Sequence, residues 1–330
     1  MTDLQSAPTP SHDEIVAKIT GGMVPPVEPF TGSERLRPDG RPKPELRSEL
    51  RQIADLRNAV SIIGAFGAPV ALVALVAAIG SWWAVVPAIV VMASLQNRIA
   101  ILHHEGAHRL LFSNRRINDL IGVNLCGWAV FGNGTHSYRR GHGNHHRDEF
   151  GPKEPDLVLY AFYPISRESM LRKLRRDATG VSAYRRHRGD ITGIFKPGRR
   201  VKSARFLAGV AVIFAAFALA GVPWLWVWLW LVPYVFVVQV LNRLRSVAEH
   251  GGLTRSADRR LTTHHVRQSL IARFMFVPIG VGYHLAHHVD SGIPFRNLPR
   301  FQRILEEDGY ITSDLTWPTY RALWKAQAAG

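Results

Sequence analysis

Cysteine is nearly missing from this chain of 330 residues: Cys126 stands alone. That excludes an intrachain disulfide and a four-cysteine zinc or iron–sulfur centre, so any electrons the chemistry needs must come from another protein. Charge is missing in a patterned way. No Asp, Glu, Lys or Arg occurs from Asn58 to Asn97 or from Phe206 to Asn242, gaps of 40 and 37 residues. A soluble fold would have to bury both gaps whole. A hydrocarbon core of roughly 30 Å needs about 20 helical residues, so each gap suits a pair of spans. A cleavable signal peptide is missing too, because Asp3, Asp13 and Glu14 flank short polar stretches and no apolar core follows.

Acidic residues are scarce: 25 Asp and Glu stand against 41 Lys and Arg, a formal charge of +16. Such a balance could suit nucleic acid, but the basic residues crowd against the ends of the apolar gaps. Arg47, Arg51 and Arg57 precede the first gap, and Arg98, Arg109, Arg115 and Arg116 follow it. Arg199, Arg200, Lys202 and Arg205 precede the second, and Arg243 and Arg245 follow it. The expected turns, near Gly80-Ser81 and Gly221-Val222-Pro223, are uncharged. This distribution places the long connections and both termini on the cytoplasmic side of a multi-pass protein, expected in a cell inner membrane, with no nucleic acid partner.

The pattern predicts an all-α integral membrane fold with four transmembrane helices in two hairpins, at about 59–80, 82–101, 204–221 and 223–243. Residues 1–56 form an N-terminal arm, mostly irregular because of prolines such as Pro8, Pro10, Pro25 and Pro26. The membrane domain takes 57–310, and 311–330 is a C-terminal tail. Pro69 and Pro87 are expected to kink their helices without ending them. Ile117 to Phe131 is too short and too polar for a span and predicts a re-entrant or interfacial helix. Mixed helix is expected near Ser166 to Arg176. The apolar island from Leu270 to Val281 is expected on the membrane surface, and Trp224, Trp226, Trp228 and Trp230 in an aromatic belt.

Fifteen histidines are present, and nine fall into a pattern. His104 and His108 are four apart, on one face of a helix. His142, His145 and His146 form an H-x-x-H-H box, and His284, His287 and His288 form another. His250 stands alone at the end of the fourth apolar segment. His104 lies seven residues past Asn97 and His250 eight past Asn242, a rise of about 10 to 12 Å in each case. Nine imidazoles exceed what one ion takes, whereas two ions with about five ligands each would use them. Zinc takes about four ligands and does no redox chemistry. Imidazole suits several metals, so reaction class must decide, and for inert C–H bonds in a membrane the choice is iron with dioxygen.

The remaining histidines read differently. His103 and His136 fit roles behind the ligands or at the surface, His264 and His265 are the nearest competitors as ligands, and His12 and His187 look like surface groups. His104 to His108 also spells H-E-G-A-H, the zinc-protease pattern with Glu105 as base, a reading that leaves seven well-placed histidines without work.

These residues resemble the membrane fatty acid desaturase superfamily, which includes lipid hydroxylases and carotenoid-modifying enzymes. The likeness runs from about Trp82 to Leu305. It is strongest at Tyr283-His284-Leu285-Ala286-His287-His288, followed by Ile293-Pro294 and Asn297-Leu298-Pro299, and again at Arg245-Ser246-Val247-Ala248-Glu249-His250. The resemblance implies four spans, a cytoplasmic helical cap holding a di-iron site, and a narrow tunnel for an acyl chain. It implies His104, His108, His142, His145, His146, His250, His284, His287 and His288 as ligands of two Fe ions, with O2 as co-substrate. The implied reaction is desaturation of an acyl chain of a fatty acid or membrane lipid, with lipid or carotenoid hydroxylation as the alternative on the same scaffold. An H-P-G-G haem signature and an N-Y-x-x-H-Y-G-L box are both missing, so the electron donor is external: a ferredoxin, a rubredoxin or a cytochrome b5-like protein with its reductase. Glu105, Glu249 and Asp290 adjoin the ligands and are candidates to orient imidazole N–H groups.

Overall fold

The structure is a computed structural model that describes residues 11–330; Pro8 and Pro10 of the arm lie outside the described residues. Four helices are long and apolar enough to cross a membrane: Asp55–Ile79, Trp82–His108, Arg200–Leu219 and Pro223–His250. The first stops at Gly80, a left-handed residue (φ +64°) whose amide bonds the carbonyl of Val76, a cap that glycine adopts without a Cβ clash. The fourth starts at Pro223, where the missing N–H and the fixed φ suit a first turn. Pro69 and Pro87 lie inside their helices without ending them. The fourth helix carries two π-helical stretches, Val227–Leu231 and Pro233–Val238. The second of these begins at Pro233, which has no N–H to give to the turn before it.

The second helix is the centre of the bundle. It buries Val85, Ala88, Met92, Leu95, Ile99 and Leu102 and uses polar side chains as straps. Gln96 Nε2 donates to the carbonyl of Trp230 (2.7 Å), tying the second helix to the fourth. Ser94 Oγ donates to the carbonyl of Phe274 (2.5 Å) and Asn97 Nδ2 to that of Met275 (3.0 Å), holding the short helix Leu270–Met275 alongside. In an apolar surround such bonds are favoured because an unpaired carbonyl there is costly. That short helix leaves Leu270 and Ile271 largely exposed. Arg115 to Ala129 runs on helically, with π geometry at Asp119–Leu125. It lies so close to the second helix that a Cβ on Gly106 would sit 2.6 Å from the Cα of Gly122. Only glycine permits that approach.

The remaining segments gather at the polar ends of the second and fourth helices. The N-terminal arm is irregular from Gly21 to Lys43, yet it is packed: Leu36 joins Leu50, Leu285, Phe301, Leu305 and Tyr310 in one apolar cluster. Arg47 pairs with Asp290 at 2.5 Å, and Arg35 pairs with Asp308. Helices Arg167–Ala178 and Val181–Thr192 lie in the long basic connection, where a buried pair of Arg243 with Asp177 ties the first of them to the fourth long helix. Near the C-terminus, Thr316–Trp317 pairs in parallel with His265–Val266, and the helix Tyr320–Gln327 buries Leu323.

Candidate metal centre

Each histidine arrives on a helix. His104 and His108 are on the last turn of the second long helix, whose terminal carbonyls of Gly106 and Ala107 accept bonds of 2.9 Å from Arg139. A cation there suits the negative end of the helix dipole. His142, His145 and His146 lie on Ser137–Arg147, His284, His287 and His288 on His284–Val289, and His250 ends the fourth long helix.

The nine imidazoles converge as two groups. His104, His108, His142, His146 and His287 form one, and His145, His250, His284 and His288 form the other; within each group the ligating atoms lie within 4.8 Å of one another. In the first, His142 Nε2 is 2.8 Å from His108 Nε2 and 3.1 Å from His146 Nε2, and His146 Nε2 is 3.1 Å from His287 Nε2. In the second, His250 Nε2 is 3.0 Å from His284 Nε2, and His145 Nε2 is 3.3 Å from His288 Nε2. Helical angle explains the partition. Residues four apart differ by about 40° and residues three apart by about 60° in the opposite sense, so His142 and His146 stay together while His145 turns away. His284 and His288 likewise stay together, and His287 turns to the other group. Each box therefore serves both groups.

The donor set fits metal ions. Nitrogens held about 2.1 Å from one ion are separated by no more than about 4.2 Å, and the close pairs here, 2.8 to 3.3 Å, lie within that reach. Burial, ahead of mutual repulsion, holds His142, His146 and His287 well below the ordinary imidazole pKa and His288 at about 3. Burial lowers His145 too, but the hydrogen bond and charge of Glu154, 2.6 Å from its Nδ1, outweigh it and raise the ring above the ordinary imidazole value.

Behind the rings the picture differs from the sequence expectation. Glu249 Oε1 lies 3.4 Å from His284 Nδ1 and 3.5 Å from Arg245 Nε. Glu105 turns away and accepts from the amide of Phe295 at 2.9 Å. Asp290 is engaged by Arg47 and by the amide of Gly292 at 3.0 Å. Two carboxylates that sequence reasoning missed are turned toward the rings instead. Glu154 Oε1 is 2.6 Å from His145 Nδ1, and Glu149 Oε1 is 3.1 Å from His250 Nδ1 and 3.3 Å from His288 Nδ1. The signal available was proximity: both follow His146 within eight residues.

Other histidines are occupied elsewhere. His264 places Nε2 2.8 Å from the carbonyl of Gly251 and receives Trp317 Nε1 on Nδ1 at 3.2 Å, and His265 faces Glu306 at 3.3 Å, so neither joins a group. His103 bonds the carbonyl of Gly122 (2.7 Å) and stacks on Tyr138. His187 is not a surface group: its Nε2 is 2.7 Å from the hydroxyl of Tyr234, and it lines a cavity of about 290 Å³ beside the histidines. The cavity reaches from His104, His142 and His284 past Tyr138 and Val238 to Asp156, Arg186, Asp190 and Arg245.

The protease reading fails here, because Glu105 is spent on Phe295 and the H-E-G-A-H pair shares its group with three further histidines. Comparison with known proteins agrees. The family model described as fatty acid desaturase matches residues 80–320. Over 256 residues the chain is 25% identical to dihydrorhizobitoxine desaturase of Bradyrhizobium elkanii, covering 72% of each chain. Together with the paired histidine groups, these matches mark an oxidoreductase that performs dioxygen-dependent, desaturase-type chemistry of the histidine-bound di-iron kind on an acyl chain. By the extent of the family match, the chain belongs to the fatty acid desaturase family.

Proposed function

We propose that the chain desaturates the acyl chain of a fatty acid or membrane lipid, holding one iron on His104, His108, His142, His146 and His287 and a second on His145, His250, His284 and His288. The observation that carries this reading is the convergence of nine imidazole nitrogens on two centres in a desaturase-family chain. Two irons held there would supply, with dioxygen and electrons from an external donor protein, the oxidising power that inert C–H bonds require. The chain's own contribution is positioning. The cavity wall of Val130, Phe131, Leu159 and Val238 suits methylenes, and His104, His142 and His284 face the same space. Removal of hydrogen from two adjacent carbons gives the alkene, whereas delivery of hydroxyl to the first gives an alcohol, so placement within a fraction of an ångström sets the outcome. The four long helices would cross a cell inner membrane, with both termini and the Arg139 to Lys202 region on the cytoplasmic side.

A second reading is favoured by the charged cavity wall. Asp156, Arg186, Asp190 and Arg245 would suit a smaller, polar-headed substrate of the kind named for the Bradyrhizobium relative. Purified enzyme with an electron supply should hold about two irons per chain and form an alkene. Mass spectrometry after incubation with a simple lipid mixture or with dihydrorhizobitoxine separates the two readings. One iron or none per chain, or an alcohol as the main product, would overturn the assignment. Labelling of single cysteines in a Cys126→Ser background tests the topology; outside exposure of a probe between Arg172 and Gly189 would reverse it.

A further inference from the structure

The two histidine groups share short helices, yet their surroundings differ in charge. Every ring of the four-histidine group has its far nitrogen near a carboxylate. His145 faces Glu154 (2.6 Å), His250 and His288 face Glu149 (3.1 and 3.3 Å), and His284 faces Glu249 (3.4 Å). Among the described residues, no carboxylate lies within 4 Å of a ring nitrogen of the five-histidine group. The acids are not solvated surface groups either: Glu154 is fully buried and Glu149 is 4% exposed.

Their own anchoring points the same way. Glu149 Oε2 is taken by Arg259 and by Thr262 Oγ1 (2.9 Å), and Oε1, which also accepts from Thr263 Oγ1 (3.3 Å), lies toward the two imidazoles. Glu154 Oε2 takes the amide of Phe150 at 3.3 Å, leaving its Oε1 for His145. The turn after His146 thus delivers two fixed negative charges to one side of the centre.

We propose that Glu149, Glu154 and Glu249 are positioning residues for one metal only, making the four-histidine centre the tighter and more electron-rich of two inequivalent sites. The inference rests on the two-metal reading above. A carboxylate that accepts the far N–H of an imidazole fixes its tautomer and strengthens its other nitrogen as a donor, an effect worth about 10- to 100-fold in metal affinity. Glu154 accepts in this way from His145, while Glu149 and Glu249 set their charge 3.1 to 3.4 Å from the other three rings, with His250 Nδ1 also 2.8 Å from the carbonyl of Thr262; the five-histidine group has no such carboxylate among the described residues. The five-histidine group compensates with one more imidazole but adds no negative charge.

The test is titration of the metal-free full-length protein in detergent with cobalt(II), followed by Mössbauer spectra of protein reloaded with iron-57. Wild type should bind two metals in two steps and give two resolved doublets. Glu154→Gln keeps shape and removes charge; it should weaken one step by about 10- to 100-fold and move one doublet, leaving the other step and doublet unchanged. Glu249→Gln should act on that same step, and Glu306→Gln, beside His265 and outside both groups, should change neither. Glu249→Gln also keeps the test decisive if Glu154→Gln fails to fold. A merely structural role would lower both steps together, and that result, or no change in either, overturns the proposal. Wild type binding fewer than two metals would instead overturn the two-metal reading.

Discussion

The first and third long helices and the second and fourth have similar apolar composition and opposite surroundings. Only 17% and 22% of the most apolar windows of the first and third are buried, against 61% and 39% for the second and fourth. The outer helices leave Val60, Ile63, Val70, Val212 and Leu219 on open faces, surface that water would not tolerate and lipid would. The inner pair carries Ser94, Gln96, Asn97 and Arg243, each buried and bonded, and then runs on to His108 and His250. An apolar run alone therefore says that a helix sits in a membrane. Polar residues spaced along it say that the helix has protein on that side.

The largest effect expected from this contrast comes from Val70→Arg on the open face of the first helix. It should cost about 2.5–3.5 kcal/mol of insertion and lower the membrane-inserted fraction; an unchanged fraction would break the lipid-facing reading. Next, Gly106→Ala on the second helix meets the backbone of Gly122 and should destabilise by about 1–3 kcal/mol and reduce bound metal. Gly67→Ala on the first helix meets nothing within 4 Å and should shift stability by no more than about 0.5 kcal/mol. Thermal unfolding in detergent compares the two, and equal shifts would remove the distinction. Asn97→Ala should cost about 1 kcal/mol and free the Leu270–Met275 helix, read as faster proteolysis at Arg273. Val212→Ala on the third helix serves as its near-silent counterpart.

The smallest effect lies outside both pairs. The hydrogen bond from Arg35 holds Asp308 below the ordinary carboxylate range, against the opposing effect of burial. Because the folded value is depressed, the contribution is complete above the unfolded value near 4 and is lost as pH falls through the folded value. Arg35 is partly exposed, which limits the pair to about 0.2–1 kcal/mol. The stability difference between wild type and Asp308→Asn should shrink as pH falls below about 4; a difference that persists unchanged there would show that the pairing is not ionic.

Local regularities carried most of what was legible in the sequence. Charge-free gaps located the long helices, and spacings of three and four placed histidines on common faces. The count from Asn97 and Asn242 put His104 and His250 at the polar ends of the two inner helices. What escaped depends on partners far along the chain. Glu105 is claimed by Phe295 and Asp290 by Arg47, separations of 190 and 243 residues. His187 looked solvated because its neighbours in sequence are arginines, whereas its hydrogen-bond partner, Tyr234, is on another helix. Glu149 and Glu154 were within reach of a local reading, but nothing in D-E-F-G-P-K-E-P-D says that the chain folds back under the box it has just left.

Each H-x-x-H-H helix feeds both histidine groups, so the spacing between the groups is a matter of helical register. A shift of the whole Ser137–Arg147 helix carries histidines of both groups together. One residue inserted between His142 and His145 is different: it rotates the later ligands by about 100° and scrambles both centres at once. In evolutionary terms, the boxes should tolerate drift in the residues between the histidines while being intolerant of any insertion or deletion, a constraint on length that substitution data alone would not reveal.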